Sequence, residues 1–205
     1  MKLGPKYKIA KRLGPSVFEK TQTQKFAIAQ ERRALKKRGR GRGPTEFGRQ
    51  LLEKQKVRFT YGLTERKFSG YVQEAMKANA KDVNPADVLH RALETRLDNV
   101  VYRMGLAPTR QASRQMVSHG HITVNGRRTT VPSREVKVGD VIGVREGSKS
   151  RVLFENLEER FAERSMPSWL TFDPKAMQGG ITQQPTVESA DPAGDLSEVL
   201  SFYSR

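Results

Sequence analysis

The sequence predicts an α+β fold. A helical domain is interrupted by a module of helices packed on a small antiparallel sheet, and a basic N-terminal arm precedes both. Three observations carry this expectation. Apolar residues recur with helical spacing from Phe47 to Met104, the pattern changes to strand-like alternation after Gly120, and Asn125-Gly126 marks a tight hairpin. The implied boundaries are an arm over 1–44, a helical domain over 45–95 completed by 195–205, a module over 96–156, and a helix end with extended linker over 157–194.

Residues 1–44 read as an arm because Gly4-Pro5 and Gly14-Pro15 punctuate a stretch poor in apolar residues. One helix is expected there, from Gln22 to Arg38. It leads into Gly39-Arg40-Gly41-Arg42-Gly43-Pro44, a low-complexity cationic run of the kind that orders on a nucleic acid. From Thr45 the helical period takes over, with Phe47, Leu51 and Leu52 opening a basic helix that reaches Tyr61. Thr64 caps the next, whose stripe is Phe68, Tyr71, Val72, Ala75 and Met76. Asn84-Pro85 supplies a cap and a first-turn proline. The stripe that follows, Leu89 to Met104, closes at Gly105 and fits either one helix or two joined near Thr95.

Thr109 caps a helix that stops at Gly120 and feeds a strand at Ile122–Val124. Both residues of the Asn125-Gly126 turn need positive φ, and the chain is expected to return over Arg127–Val131. Val136–Val138 and Val141–Val144 flank a second turn at Gly139-Asp140. Arg151 to Arg164 reads as a charged amphipathic helix, residues 165–194 as an extended linker, and Leu196–Tyr203 as a last short helix.

Charge narrows the function. Among 205 residues, Lys plus Arg is 38 and Asp plus Glu is 22, a formal net charge of +16. The surplus sits mainly in residues 1–60 and 106–151, while 152–205 is net acidic. Such a footprint favours a polyanion. No apolar run approaches a membrane span. With no cysteine and three histidines, neither a thiolate metal site nor a zinc site is expected, and no cofactor. The helix after Thr109 carries Arg110 in its first turn, where the dipole disfavours a cation by about 0.3–1 kcal/mol. Arg114 follows one turn later, with no acid on the same helix. An external phosphate would account for both.

The residues also carry a resemblance. Arg96-Leu97-Asp98-Asn99-Val100-Val101-Tyr102-Arg103-Met104-Gly105, then Pro108-Thr109-Arg110, Val117-Ser118-His119-Gly120-His121-Ile122 and Val124-Asn125-Gly126 resemble the RNA-binding module of bacterial ribosomal protein S4. Outside that module the resemblance extends to Leu52–Arg58, Tyr61-Gly62-Leu63, Pro167-Ser168-Trp169-Leu170 and Phe202-Tyr203-Ser204-Arg205. Some members of the family hold zinc on N-terminal cysteines, and this chain resembles the zinc-free branch.

The resemblance implies a primary rRNA-binding protein that docks on a junction in the 5′ domain of small-subunit rRNA. It would nucleate assembly of the subunit body and influence translational accuracy. Junction RNA is recognised largely by shape and backbone. Arg110, Arg114, Arg127 and Arg128 would grip phosphates, with Arg103, Lys54, Lys56 and Arg58 as further cationic contacts. Ser113, Gln115, His121 and Asn125 would add hydrogen bonds. Further implied partners are ribosomal protein S5 and mRNA where it enters the subunit, the latter through Arg40, Arg42 and Arg49. Localisation would be the cytoplasmic ribosome, with no membrane and no homo-oligomer.

Arg96-Leu97-Asp98 superficially matches the triplet of some pseudouridine synthases. Too few residues follow the module for a catalytic domain, so Asp98 is expected to pair with a nearby arginine and the chain is expected not to be an enzyme. Rival readings are an rRNA-modification factor and a stress factor that share the module.

Overall fold

Capping chemistry written in the sequence sets the helix starts. A computed structural model describes residues 4–36, 45–78, 83–155, 157, 161, 166–187 and 193–205. Its helices are α1 (Lys6–Leu13), α2 (Gln24–Lys36), α3 (Glu46–Thr60), α4 (Glu65–Ala78), α5 (Pro85–Glu94), α6 (Leu97–Arg103), α7 (Arg110–Ser118) and α8 (Leu196–Tyr203). Its strands are β1 (Ile122–Val124), β2 (Arg127–Arg128), β3 (Val141–Val144), β4 (Leu170–Asp173) and β5 (Gln178–Ile181). The Thr45 hydroxyl accepts from Gly48 N at 3.1 Å, Thr109 from Ala112 N at 3.1 Å, and Asn84 Oδ1 from Ala86 N at 3.0 Å. Asp195 Oδ1 caps α8 through Ser197 N, 2.9 Å, and Glu198 N, 3.2 Å. Each such cap contributes about 1 kcal/mol.

The chain divides into two compact units, Met1–Leu89 with Pro192–Arg205, and His90–Asp191. In the first, α8 lies along α3 and touches α4. Val57, Phe68, Val72 and Val199 are fully buried. The expectation of an N-terminal arm is corrected here. Residues 4–36 fold, with Ala10, Val17, Phe18 and Phe26 buried together and Ile9, Leu13 and Phe59 packed against them. Phe59 belongs to α3, so position 44 does not separate an arm from a domain. The few apolar residues of this stretch are spaced to meet on one side of α1 and in the turn after it. The Gly39–Gly43 run, with Arg40 and Arg42, lies outside the described residues.

In the second unit the sheet has the order β2-β1-β3-β5-β4, antiparallel throughout. Leu97, Val100, Val101, Met116 and Val117 of α6 and α7 share its core with Ile122, Val124, Ile142, Leu170 and Phe172. The tight hairpin forms as the sequence requires, with φ of 51° at Asn125 and 75° at Gly126.

Of the two readings of the long stripe, the structure takes two helices, because Arg96 is extended (φ −64°, ψ 134°) and bridges Glu135. Two expectations change in this unit. Val136–Val138 is not a strand. Residues 132–136 instead serve the amino end of α6: Leu97 N donates to Arg134 O at 2.8 Å and Asp98 N to Pro132 O at 3.0 Å. Those N–H groups have no partner inside the helix, and the passing backbone satisfies them.

The second change is the expected linker over 157–194, which contains β4 and β5. Leu170 and Phe172 point into the core while Thr171 and Asp173 face out. Gly179 and Gly180 are strand residues where a side chain would strike the carbonyl oxygens of Thr171 and Asp140. Two glycines that read as a breaker are what lets β5 fit between its neighbours. Within the helix expected over Arg151–Arg164, Val152–Phe154 form a 3-10 turn, Leu157 and Phe161 are helical, and the other positions from Asn156 to Arg164 lie outside the described residues.

Candidate nucleic-acid interface

The surface built by α6 and α7 is organised by two buried carboxylates. Asp98 accepts from Arg96 Nε at 3.1 Å and Nη2 at 2.8 Å. Its Oδ2 also accepts from Arg114 Nε at 2.8 Å and Nη2 at 2.7 Å. Glu94, fully buried, takes Arg103 in a fork of 3.0 and 2.9 Å and the Asn99 amide at 2.9 Å. Asn99 Oδ1 in turn accepts from Arg110 Nε at 2.9 Å, and the Arg110 guanidinium lies 4.4 Å from the Tyr102 ring centroid. The expected pairing of Asp98 with a nearby arginine is therefore met twice. The expectation that Arg114 lacks an acid is corrected. Its partner sits 16 residues away on α6, outside the range that spacing along one helix can reveal.

Three arginines on two carboxylates, with Arg110 held by neutral Asn99, leave this cluster two positive charges in surplus. The guanidinium groups are held in forks and against a ring, so little freedom remains for an anion to quench. Arg114 keeps 30% of its side chain exposed and Arg103 18%. Both stand at the surface while anchored from below. Ser113 is fully buried; its hydroxyl donates to Asp98 O at 2.6 Å, with Arg110 O also within reach at 2.8 Å, and locks α7 onto α6. It has no path to a ligand. Gln115 is exposed on the outer face of α7.

The hairpin adds Arg127 and Arg128, both exposed. Arg128 crosses Gly120 to reach His119 O at 3.4 Å. Gly120 has φ of 72°, and a Cβ there would collide with that guanidinium. Arg127 has no ion-pair partner among the described residues. Asn125 is exposed, yet both ends of its amide are used, Nδ2 donating to Asp140 Oδ1 at 2.7 Å and Oδ1 accepting from Val141 N at 2.8 Å. The backbone hydrogen bond from Lys137 and the Asn125 amide hold the Asp140 carboxyl below its ordinary value, against a smaller upward push from desolvation. His121 is buried, with Nδ1 3.0 Å from Ser148 Oγ. Burial first, then Arg151, His119, Arg145 and Arg128, lower its pKa. Ser113 and His121, expected to hydrogen-bond RNA, are corrected to buried side chains that fasten the module, and Asn125, though exposed, spans the turn with both ends of its amide.

The cations singled out on α3 also have internal work. Lys54 is buried, with Nζ 2.7 Å from Glu65 Oε1 and 4.6 Å from the Phe202 ring. Arg58 makes two hydrogen bonds to Gln55 and lies 3.4 Å from Glu65 Oε2. Lys56 is 3.5 Å from Glu53, and Arg49 is 3.0 Å from Glu198 on α8 with 61% of its side chain exposed. Burial raises the Glu65 pKa, but hydrogen bonds from Lys54 and Tyr203 and the charges of Lys54 and Arg58 outweigh it and hold the carboxyl low. Tyr203, 2.6 Å from Glu65, is pushed upward by burial and by that carboxylate. Sequence gives no sign that Glu65 and the C-terminal aromatics meet around Lys54, because the acid lies one residue beyond a cap and far along the chain from α8. Among the described residues no group of His, Asp or Glu side chains could hold a metal ion.

Helices on a hairpin-built sheet, with arginines anchored at one surface, define an S4-domain protein: residues 95–142 match the S4 domain. Residues 2–94 match the ribosomal protein S4/S9 N-terminal domain. The small ribosomal subunit protein uS4 of Roseiflexus castenholzii is 40% identical, covering 99% of this chain and 98% of the relative. The proteins of the same name from Levilactobacillus brevis, 42% identical over 98% of both chains, and Acinetobacter baylyi, 39% identical over 99% and 98%, are similar over the same extent. The chain belongs to the ribosomal protein S4 family.

Proposed function

We propose that this chain is a structural constituent of the small ribosomal subunit that binds rRNA and catalyses no reaction. The observation that carries the reading is the cationic surplus fixed on α6 and α7 by Asp98 and Glu94. A rigid set of guanidinium groups suits a folded RNA whose phosphates are also fixed, because neither side gives up much freedom on docking. Arg103, Arg110 and Arg114 are the contacts from the helices, Arg127 and Arg128 those from the hairpin, and Gln115 a hydrogen-bonding neighbour. Lys56, Arg58 and Arg49 on α3 are secondary contacts.

The finer reading is docking on a junction of the 5′ domain, early in assembly of the subunit body, with ribosomal protein S5 as a neighbour and an effect on accuracy. Arg49, exposed despite Glu198, is the described residue available to mRNA. Co-sedimentation tests the core of the proposal. The purified chain is expected to travel with small-subunit particles and their rRNA. Travel with large subunits would support a stress factor, and turnover of an RNA base would support a modification factor; either overturns the proposal.

A further inference from the structure

We propose that Asn125 is a deamidation site gated by Asp140. When the clamp between them opens, the Gly126 nitrogen attacks the Asn125 side chain, and the chain is converted to a form whose hairpin no longer presents Arg127 and Arg128. The chemistry involves no RNA. Its consequence for binding rests on the reading of the chain as an rRNA binder.

The sequence supplies the reactive pair once. Among the asparagines, only Asn125 precedes a glycine. Asn79, Asn99 and Asn156 precede Ala, Val and Leu, whose side chains crowd the attacking nitrogen, and Asn84 precedes proline, which has no N–H. Both residues of the Asn125-Gly126 pair are exposed. A Cβ on Gly126 would meet no heavy atom within 4 Å, so the space around the attacking residue is open. Its N–H, unlike those of Asn125 and Thr129, donates no hydrogen bond among the described residues. The nucleophile is free, and control falls on the electrophile.

That electrophile is tethered at both ends. The amide nitrogen, which is the leaving group, donates to Asp140 Oδ1 at 2.7 Å, and the amide oxygen accepts from Val141 N at 2.8 Å. Asp140 is itself fixed, its Oδ2 accepting from Lys137 N at 2.9 Å. Attack requires the Asn125 side chain to turn until its carbonyl carbon meets Gly126 N, a rotation that breaks both tethers. Once it has turned, Gly126 N gives its proton to solvent base and bonds to Asn125 Cγ. The bond from Cγ to the amide nitrogen breaks, and that nitrogen takes up a proton and leaves as ammonia. Water then opens the cyclic imide at either carbonyl, giving aspartate or, with the backbone routed through the side chain, isoaspartate. Either product is wrong for this turn. A carboxylate at 125 would face the Asp140 carboxylate across the 2.7 Å that the amide now bridges. The extra backbone atom of isoaspartate would break the two-residue turn that pairs Val124 with Arg127 and Thr123 with Arg128.

The test follows the full-length chain, free of RNA, at mildly alkaline pH. Peptide mass spectrometry reads the mass gain from amide to carboxyl, and isoaspartyl methyltransferase reads the isoaspartate. Conversion is expected at Asn125 ahead of every other asparagine, slow in the folded wild type and fast in urea. Asp140→Ala should convert about tenfold faster or more, the fold-change for loss of a hydrogen bond to a charged acceptor. Asp140→Ser, the second variant should the first not fold, carries the same expectation, while Asp140→Asn keeps an acceptor and should stay near wild type. Thr109→Ala removes a helix cap in the same unit and leaves the clamp intact, so it should also stay near wild type; circular dichroism checks the fold. A wild-type rate in the folded Ala or Ser variant, an equal acceleration in Thr109→Ala, or faster conversion at another asparagine overturns the proposal. The converted chain, separated by ion exchange, should bind a 5′-domain rRNA transcript more weakly, with a log–log salt slope lower by about one to two units. Undiminished binding overturns the claimed loss of the hairpin; failure of the unconverted chain to bind defeats the rRNA reading and leaves the deamidation site in place.

Discussion

Asp98 Oδ2 accepts both Nε and Nη2 of Arg114, at 2.8 and 2.7 Å, and so ties the first turn of α6 to the middle of α7. The same carboxylate holds Arg96, at the break between α5 and α6. One buried acid thereby fixes a helix break, a helix–helix contact and the direction of a surface guanidinium. The position that most resembled an enzyme's aspartate is an organising residue.

Replacing Asp98 with Ala removes the acceptor shared by two guanidinium groups, one of them buried with it. Stranding buried charge in this way costs about 3–5 kcal/mol. Urea unfolding should show a loss of that size; a loss below about 1 kcal/mol would mean that water replaces the carboxylate without penalty.

Lys54→Ala separates structural from RNA-binding lysines. The side chain is 8% exposed and its ammonium group is held by Glu65 and the Phe202 ring. Losing a hydrogen bond to a charged group costs about 1.5–3 kcal/mol. Stability should fall by about that much while the salt slope of RNA binding stays at its wild-type value. A reduced slope with unchanged stability would return Lys54 to the interface.

His121 predicts a pH dependence of stability. Its folded-state pKa lies below the ordinary value of 6.5, so the unfolded chain takes up its proton first. The contribution to stability is complete above pH 6.5 and is lost as pH falls through the folded value. NMR of the ring should place its midpoint below 6.5, and His121→Asn should remove that part of the acid-side decline. A midpoint above 6.5 would refute the buried, neutral assignment.

Local chemistry was legible and remote chemistry was not. Thr109 caps α7, Asn125-Gly126 turns the hairpin, and Leu196–Tyr203 is helical, each decided by residues within a few positions. The α+β class followed from two periodicities. By contrast, β4 and β5 were hidden because Gly179-Gly180 and the nearby prolines carry breaker chemistry, and only the close approach of Thr171 and Asp140 gives those glycines their reason. The folding of residues 4–36 was hidden by cationic composition, although Ile9, Ala10 and Leu13 were spaced for one face. On the α6–α7 surface, residue types overstated the freedom of the side chains: Ser113, His121 and Asn125 face inward or across a turn, and Arg114 has a partner on another element.

A hydroxyl-radical footprint of the full chain on naked small-subunit rRNA tests the account most directly. Protection concentrated at a junction in the 5′ domain is expected, weakened when Arg110, Arg114 and Arg127 are jointly replaced by Gln in protein that remains folded. Uniform or absent protection, or an undiminished footprint from that variant, would contradict it.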